Sequence, residues 1–162
     1  MSVVVTSNGT RGVKYPIPSR LMALLSRIPV GLHQLSGGRM KMHGQPLLVL
    51  QTVGARTGQP RTSMVSQFRE RDGSTLIVAS FGGAAKHPSW YLNVAKHPDQ
   101  VFIERKGEHV RVQPTTLTGE ERERAWRRIV TIAPGFAEYQ RKTDRELPVI
   151  RLSPTSERAV EA

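Results

Sequence analysis

Three short segments carry residue types and spacings that could do chemistry. The first reads Gly54-Ala55-Arg56-Thr57-Gly58-Gln59-Pro60-Arg61. Its glycines admit backbone conformations that other residues resist, so backbone N–H groups can converge. Arg56 and Arg61 offer planar forked donors to one anion, and Thr57 adds a hydroxyl. The segment reads as a cradle for an anion such as phosphate. It is not a Walker loop, because the Gly-Lys-Ser/Thr ending is missing and no helix follows. A glycine-containing β-turn with two solvated arginines fits the same residues.

The second segment runs from Ala79-Ser80-Phe81-Gly82-Gly83 through His87-Pro88 to Trp90, Tyr91 and Asn93. A strand that ends in small residues lets a flat ring approach its backbone, and the helix start behind it favours negative charge. Trp90 can wall such a ring, and Asn93, one turn on, can offer its amide. Core packing of Trp90 and Tyr91 and a capping role for His87 are the plainer alternatives. The third segment, Pro134 to Arg145, holds Tyr139, which can donate a proton or line an apolar pocket. Asp144 and Arg145 suit ion pairs that fix the return to a last strand.

Composition sets the outer limits. The chain has 162 residues, with 24 Lys+Arg against 13 Asp+Glu, a net charge of +11. That length suits one domain with its own core. There is no cysteine, so thiolate metal sites, disulfides and cysteine nucleophiles are excluded, and the scattered histidines lack zinc spacing. No stretch approaches the ~18 apolar residues of a membrane span, and no signal-peptide pattern opens the chain, so a cytoplasmic protein is expected. Residues 1–69 hold nine bases and no acid. Such a field attracts anions of any kind. Nucleic acid is the weakest of these partners, because no aromatics interleave on a strand and no helix-turn-helix is present.

The elements that must position these segments are short. Residues 1–14 read as a flexible lead. Residues 15–44 read as a basic amphipathic helix followed by a glycine-rich loop, with Ser19 as cap and Pro29 limiting the helix. Strands are expected at Leu47–Thr52, Arg61–Arg69, Thr75–Ser80, Gln100–Arg105, His109–Thr115 and Pro148–Leu152, with turns at Arg71-Asp72-Gly73 and Lys106-Gly107. A helix should start at Pro88. Another should follow the Thr118–Glu121 capping box, with Trp126, Ile129 and Val130 inward and Arg122, Arg124, Arg127 and Arg128 on a solvated face. One or two further turns are expected over Phe136–Lys142. The pattern is α+β: six short, mostly antiparallel strands forming a barrel over residues 45–154, with peripheral helices and a loose tail at 155–162.

Together the three segments resemble the deazaflavin (coenzyme F420)-dependent nitroreductase and oxidoreductase family. Its patterns are approximately G-R-K-S/T-G-x-x-R, A-S-x-G-G-x-x-x-x-P-x-W-Y-x-N and Y-Q-x-x-T-D-R-x-I-P. The matches are Gly54, Arg56, Thr57, Gly58 and Arg61; then Ala79, Ser80, Gly82, Gly83, Pro88, Trp90, Tyr91 and Asn93; then Tyr139, Gln140, Thr143, Asp144, Arg145 and Pro148. The resemblance implies a split β-barrel that binds coenzyme F420 and passes a hydride to an activated acceptor, such as a quinone, enone or nitro compound. It implies that Arg56, Thr57, Gly58 and Arg61 hold the phosphate and part of the oligoglutamate tail. Ala79, Ser80, Gly82 and Gly83 would line the deazaflavin, and Trp90 and Asn93 would complete the groove. Tyr139 would lie in the substrate pocket, and it and Ser80 are the candidate proton donors.

The departures are specific. Ala55 stands where the family often has a base, and Phe81 where a polar residue is common. Ser66, Ala133 and Phe136 occupy pocket positions that are often tyrosine in nitroreducing members. An FMN-dependent split-barrel oxidoreductase and a non-catalytic deazaflavin-binding protein are the alternatives. Residues 15–35 could touch an anionic membrane surface, or cover the barrel mouth or a dimer partner, so the chain is expected as a monomer or homodimer.

Overall fold

The computed structural model describes residues 2–16 and 27–158. The expected Ser19 cap and the start of the amphipathic helix lie outside these residues. The elements run α1 (Arg27–Leu35), β1 (Lys41–Met42), β2 (Gln45–Val53), β3 (Pro60–Ser66), β4 (Phe68–Arg69) and β5 (Thr75–Val78). A 3₁₀ turn (Phe81–Gly83) follows, then α2 (Ser89–Lys96), β6 (Phe102–Arg105), β7 (Glu108–Thr116), α3 (Gly119–Ile132), α4 (Gly135–Lys142) and β8 (Val149–Arg158).

Eight strands form one antiparallel sheet. The six expected strands are all present, and the two additional ones are short. β4 is the continuation of β3 past a bend at Gln67. β3 pairs with β2 and β4 pairs with β5, so the bent strand closes a circuit that runs on through β8, β7 and β6 back to β2. Gln67 steadies the bend by donating its backbone N–H to the Pro46 carbonyl and its side-chain amide to the Leu47 carbonyl. This closure makes the split barrel.

The core has two parts because central strands are buried on both faces. Leu48, Leu50, Ile77, Ile103, Val112, Ile150 and Leu152 fill the barrel with Tyr91 and Val94 of α2. Leu76, Val78 and Val149, on the opposite face, pack with Phe68 against Ala125, Ile129 and Ala133 of α3 and Phe136 of α4. β5 is therefore buried at every position.

Several expectations change. β8 does not stop at Leu152. It continues to Arg158 against β7 through a bulge between Val110 and Val112. Helix α3 forms with Thr118 as its N-cap, but the Thr118 side chain makes no capping bond. Its intended partner, Glu121, instead accepts a hydrogen bond from Arg151 Nη1. Arg122 does not belong to a solvated face: it is buried, donates to the Leu147 carbonyl at 2.9 Å, pairs with Glu146 at 3.2 Å and lies over Trp126.

The polar N-terminal residues are tied across the barrel rather than trailing from it. The Asp144 carboxylate accepts from the Thr10 and Arg11 backbone N–H groups and from the Thr10 hydroxyl. These bonds, the Thr10 hydroxyl first, hold its pKa down to about 2. Gly9 N–H and Val13 N–H donate to the Ala85 and Gly83 carbonyls. Val4 accepts from the Tyr91 hydroxyl at 2.7 Å. Among the described residues no helix is long and apolar enough to cross a membrane. Leu32 and Leu35 of α1 remain exposed.

Candidate functional site

The cradle segment connects β2 to β3. It closes on itself, because Gly54 N–H donates to the Gln59 carbonyl and Gly58 N–H to the Gly54 carbonyl. Thr57 Oγ1 accepts from Gln59 N–H and from Arg61 Nη2. Ala55 N–H donates to Asn93 Oδ1 at 2.9 Å, and Asn93 Nδ2 donates to Thr52 Oγ1 at 3.1 Å. The expected convergence of backbone donors is thus corrected, since four of those N–H groups are spent inside the loop or on α2. The guanidinium groups of Arg56 and Arg61 remain. Both are exposed, and neither pairs with a carboxylate among the described residues. A pair of unneutralised forked cations on a fixed turn fits a phosphate or carboxylate tail.

Asn93 therefore acts differently from expectation. It is buried, and both ends of its amide hold the cradle to α2. Trp90 is half-buried against the barrel core, edge-on to Tyr91.

The second segment leaves β5 in a left-handed turn. Phe81, Gly82 and Gly83 have φ of 44°, 59° and 83°. For Phe81 that conformation costs about 1–3 kcal/mol, so the surroundings must enforce it. Tyr15 stacks on Phe81 with ring centroids 5.1 Å apart. A Cβ on Gly83 would sit 2.6 Å from the Tyr139 carbonyl oxygen, so only glycine lets the turn lie this close to α4.

Beneath the turn is a residue that local pattern reading undervalued. Arg145 is buried and meets no carboxylate among the described residues. It donates Nε–H to the Ala84 carbonyl, Nη1–H to Ala79 and Nη2–H to Ser80, at 2.8, 2.9 and 2.7 Å. His87 completes the brace, with Nδ1 3.3 Å from Arg145 Nη1 and Nε2 2.8 Å from the Thr6 carbonyl. The only tautomer that satisfies both carries its proton on Nε2. The Ser80 hydroxyl itself has no protein partner among the described residues and is half-exposed. Ala79 is fully buried and presents no side chain.

Burial holds the His87 pKa below its ordinary value; the Thr6 carbonyl bond opposes this and the Arg145 charge adds to it. The unfolded chain then binds more protons than the folded one between the two values, so stability falls with falling pH there. This contribution is complete above about pH 6.5, the ordinary histidine value, and is lost as the pH drops through it toward the folded pKa. Melting temperatures from about pH 7.5 to about pH 5.5 should fall more steeply for the wild type than for His87→Gln, which keeps an amide donor and acceptor but cannot titrate. Equal slopes would remove His87 as the acid-sensitive element.

The third segment brings Tyr139 to the turn. Tyr139 is half-exposed, and burial, then the neighbouring Tyr15, raises its pKa, so it carries its proton at neutral pH. Lys142 Nζ lies 5.7 Å from its ring centre. The other expected pocket residues are more enclosed. Ser66, Ala133 and Phe136 are 7%, 1% and 4% exposed, and Phe136 packs edge-on to Phe68, Tyr139 and His43. All three are packed away from solvent rather than forming an open wall.

His43 was not singled out by sequence. It occupies the tip of the β1–β2 hairpin, where Met42 pairs with Gln45 and His43 and Gly44 have φ of 53° and 73°. Two positive φ values make this a type I′ turn. His43 Nε2 lies 2.7 Å from the Tyr139 hydroxyl. The sequence signal was present in the two-residue spacing, but His-Gly is a rarer turn pair than Asn-Gly.

Comparison with known proteins bears on the family and the fold. Residues 25–154 match the family model described as F420H(2)-dependent quinone reductase. The chain is 36% identical over 110 residues to an F420H(2)-dependent quinone reductase of Mycobacterium tuberculosis, covering 67% of this chain and 73% of that protein. It resembles the solved structure of an F420-H2-dependent reductase with a TM-score of 0.59 and 38% identity, over 67% of this chain and 94% of that one. A second solved structure, described as a domain-swapped dimer, has a TM-score of 0.60 and 32% identity, over 80% and 99% of the two chains.

Proposed function

The chain belongs to the F420H(2)-dependent quinone reductase family, and from that premise we propose that its acceptor is a quinone, reduced at the face shared by the Phe81–Gly83 turn and Tyr139. It is a coenzyme F420-dependent reductase of split-barrel fold. The observation that carries the acceptor reading is the packing of a braced, glycine-rich turn against the backbone of Tyr139, whose half-exposed phenol stands beside it.

In this reading Arg56, Thr57, Gly58 and Arg61 hold the anionic tail, with Asn93 fixing their loop from behind. Ser80, Gly82 and Gly83 present the ring-facing surface, Ala79 backs it, and Trp90 closes the groove. When bound, the deazaflavin supplies a hydride from carbon. The protein's task is then placement and proton supply. Tyr139 Oη gives a proton to an acceptor oxygen that has gained negative charge, and Ser80 Oγ is the second donor within the same face. Phe136, Ala133 and Ser66 make the floor under the acceptor. The exposed Leu32 and Leu35 would seat a lipid surface or a second copy of the chain.

Protein loaded with reduced coenzyme F420 should be reoxidised by menadione faster than by cyclohexenone or a nitroimidazole in rapid mixing. Faster reoxidation by either of the others would change the acceptor class. Tight binding without reoxidation by any acceptor would leave a carrier rather than an enzyme, and preference for FMN in a parallel titration would replace the cofactor.

A further inference from the structure

We propose that His43 is a positioning residue that feeds protons to Tyr139, making the hairpin tip the proton entry to the site. This rests on the quinone-reductase reading above, which needs a proton at Tyr139 for each acceptor reduced. Three observations support it. The Tyr139 hydroxyl and His43 Nε2 are 2.7 Å apart, the only side-chain hydrogen bond to that hydroxyl among the described residues. The imidazole is exposed, so water reaches it while the phenol is half-covered. The arrangement is also built: His43 holds a left-handed backbone, and its ring is clasped edge-on by Phe136 and Tyr139 at 5.7 and 5.4 Å. At Gly135 a Cβ would come 3.2 Å from Nδ1, so the start of α4 is bare where the ring must pass.

The proton balance is simple. The hydride brings two electrons and one hydrogen to the quinone. As Tyr139 Oη–H breaks and its proton goes to the quinone oxygen, a proton passed from water through His43 Nε2 restores the phenol, and the proton that the reduced cofactor would release on giving up its hydride returns to water, so none is consumed overall. A neutral ring with its proton on Nδ1 accepts from Tyr139, and an imidazolium donates to it, so one contact serves both stages. Without the histidine, Tyr139 has no side-chain partner at its hydroxyl among the described residues and would exchange protons with water alone. The charged and titratable groups beside the pair are Lys142, over the Tyr139 ring, and Tyr15, whose charge Tyr139 senses.

The test uses His43→Asn, because Asn-Gly suits a type I′ turn and removes only the imidazole. With reduced coenzyme F420 bound, kcat for menadione should fall roughly tenfold with KM little changed, and added imidazole should restore much of the rate. In the free protein, imidazole nitrogen resonances should show Nε2 of neutral His43 as an acceptor, and Tyr139→Phe should shift them. A wild-type rate in His43→Asn, or a loss that imidazole does not restore, would overturn the relay. So would His43 resonances indifferent to Tyr139→Phe. A wild type that cannot reduce menadione would instead sink the acceptor reading first.

Discussion

Replacing Arg145 by Met should destabilise the fold by roughly 3–5 kcal/mol, the range expected when one side of a buried polar cluster is removed. The reason lies in the chain's path. After β5 the backbone turns left-handed through Phe81–Gly83, so the carbonyls of Ala79, Ser80 and Ala84 leave the ladder and point inward. Each buried carbonyl left without a donor costs about 1–3 kcal/mol; Ser80 keeps the Gly83 N–H, but Ala79 and Ala84 share the one guanidinium, so their losses arrive together. A methionine fills the volume and satisfies neither. Arg145→Lys keeps the charge, but one ammonium cannot span acceptors that a planar fork reaches, so it should recover less than half of the loss. Urea unfolding at fixed salt measures both. Arg127→Met, on the exposed face of α3, is the control and should stay within about 0.5 kcal/mol of wild type. An Arg145→Met protein within about 1 kcal/mol of wild type would show that water or rearrangement can replace the guanidinium, and the turn would then need another cause.

The brace also shows what could be read in the chain and what could not. The barrel strands were legible because their apolar runs end at Gly and Pro, and the turns at Arg71-Asp72-Gly73 and Lys106-Gly107 fell where expected. Arg145 was legible as a residue that matters but not as what it does: a guanidinium among carbonyls, with no acid near it, has no sequence signature. Arg122 misleads in another way: the glutamates around it suggest solvent, while the Leu147 carbonyl, 25 residues away, draws it into a buried place. The N-terminal residues carry no apolar period, and their order comes from Asp144, more than 130 positions distant. The polar end of β8 reads as tail because strand pairing at an edge needs backbone groups, not apolar side chains. In the site, Asn93 was expected to face a ligand. It faces the loop, where its amide oxygen accepts from the backbone N–H of Ala55 and its amide nitrogen donates to Thr52.

Exchanging Arg56 and Arg61 together for Gln should weaken coenzyme F420 roughly thirty- to hundredfold, with each lost charge-assisted contact worth about 1–1.5 kcal/mol at an exposed site. Stability should hardly change. Neither arginine holds an acid among the described residues, and their contacts within the protein are Arg61 to Thr57 Oγ1 and to the Pro60 carbonyl. A melting temperature within about 2 °C of wild type is expected. Salt separates charge from shape. At physiological ionic strength the screening length is about 8 Å, so wild-type affinity should fall as salt rises and the double variant should respond less. A deazaflavin that ends at the sugar chain, without phosphate or glutamates, locates the effect. It should bind wild type and double variant equally, because the Phe81–Gly83 turn and its Arg145 brace are untouched. Equal losses for both ligands would mean that the 54–59 loop shapes the ring site through Asn93. No loss for either would move the tail to other bases of the acid-free first 69 residues, where Arg39 and Lys41 flank the hairpin that carries His43.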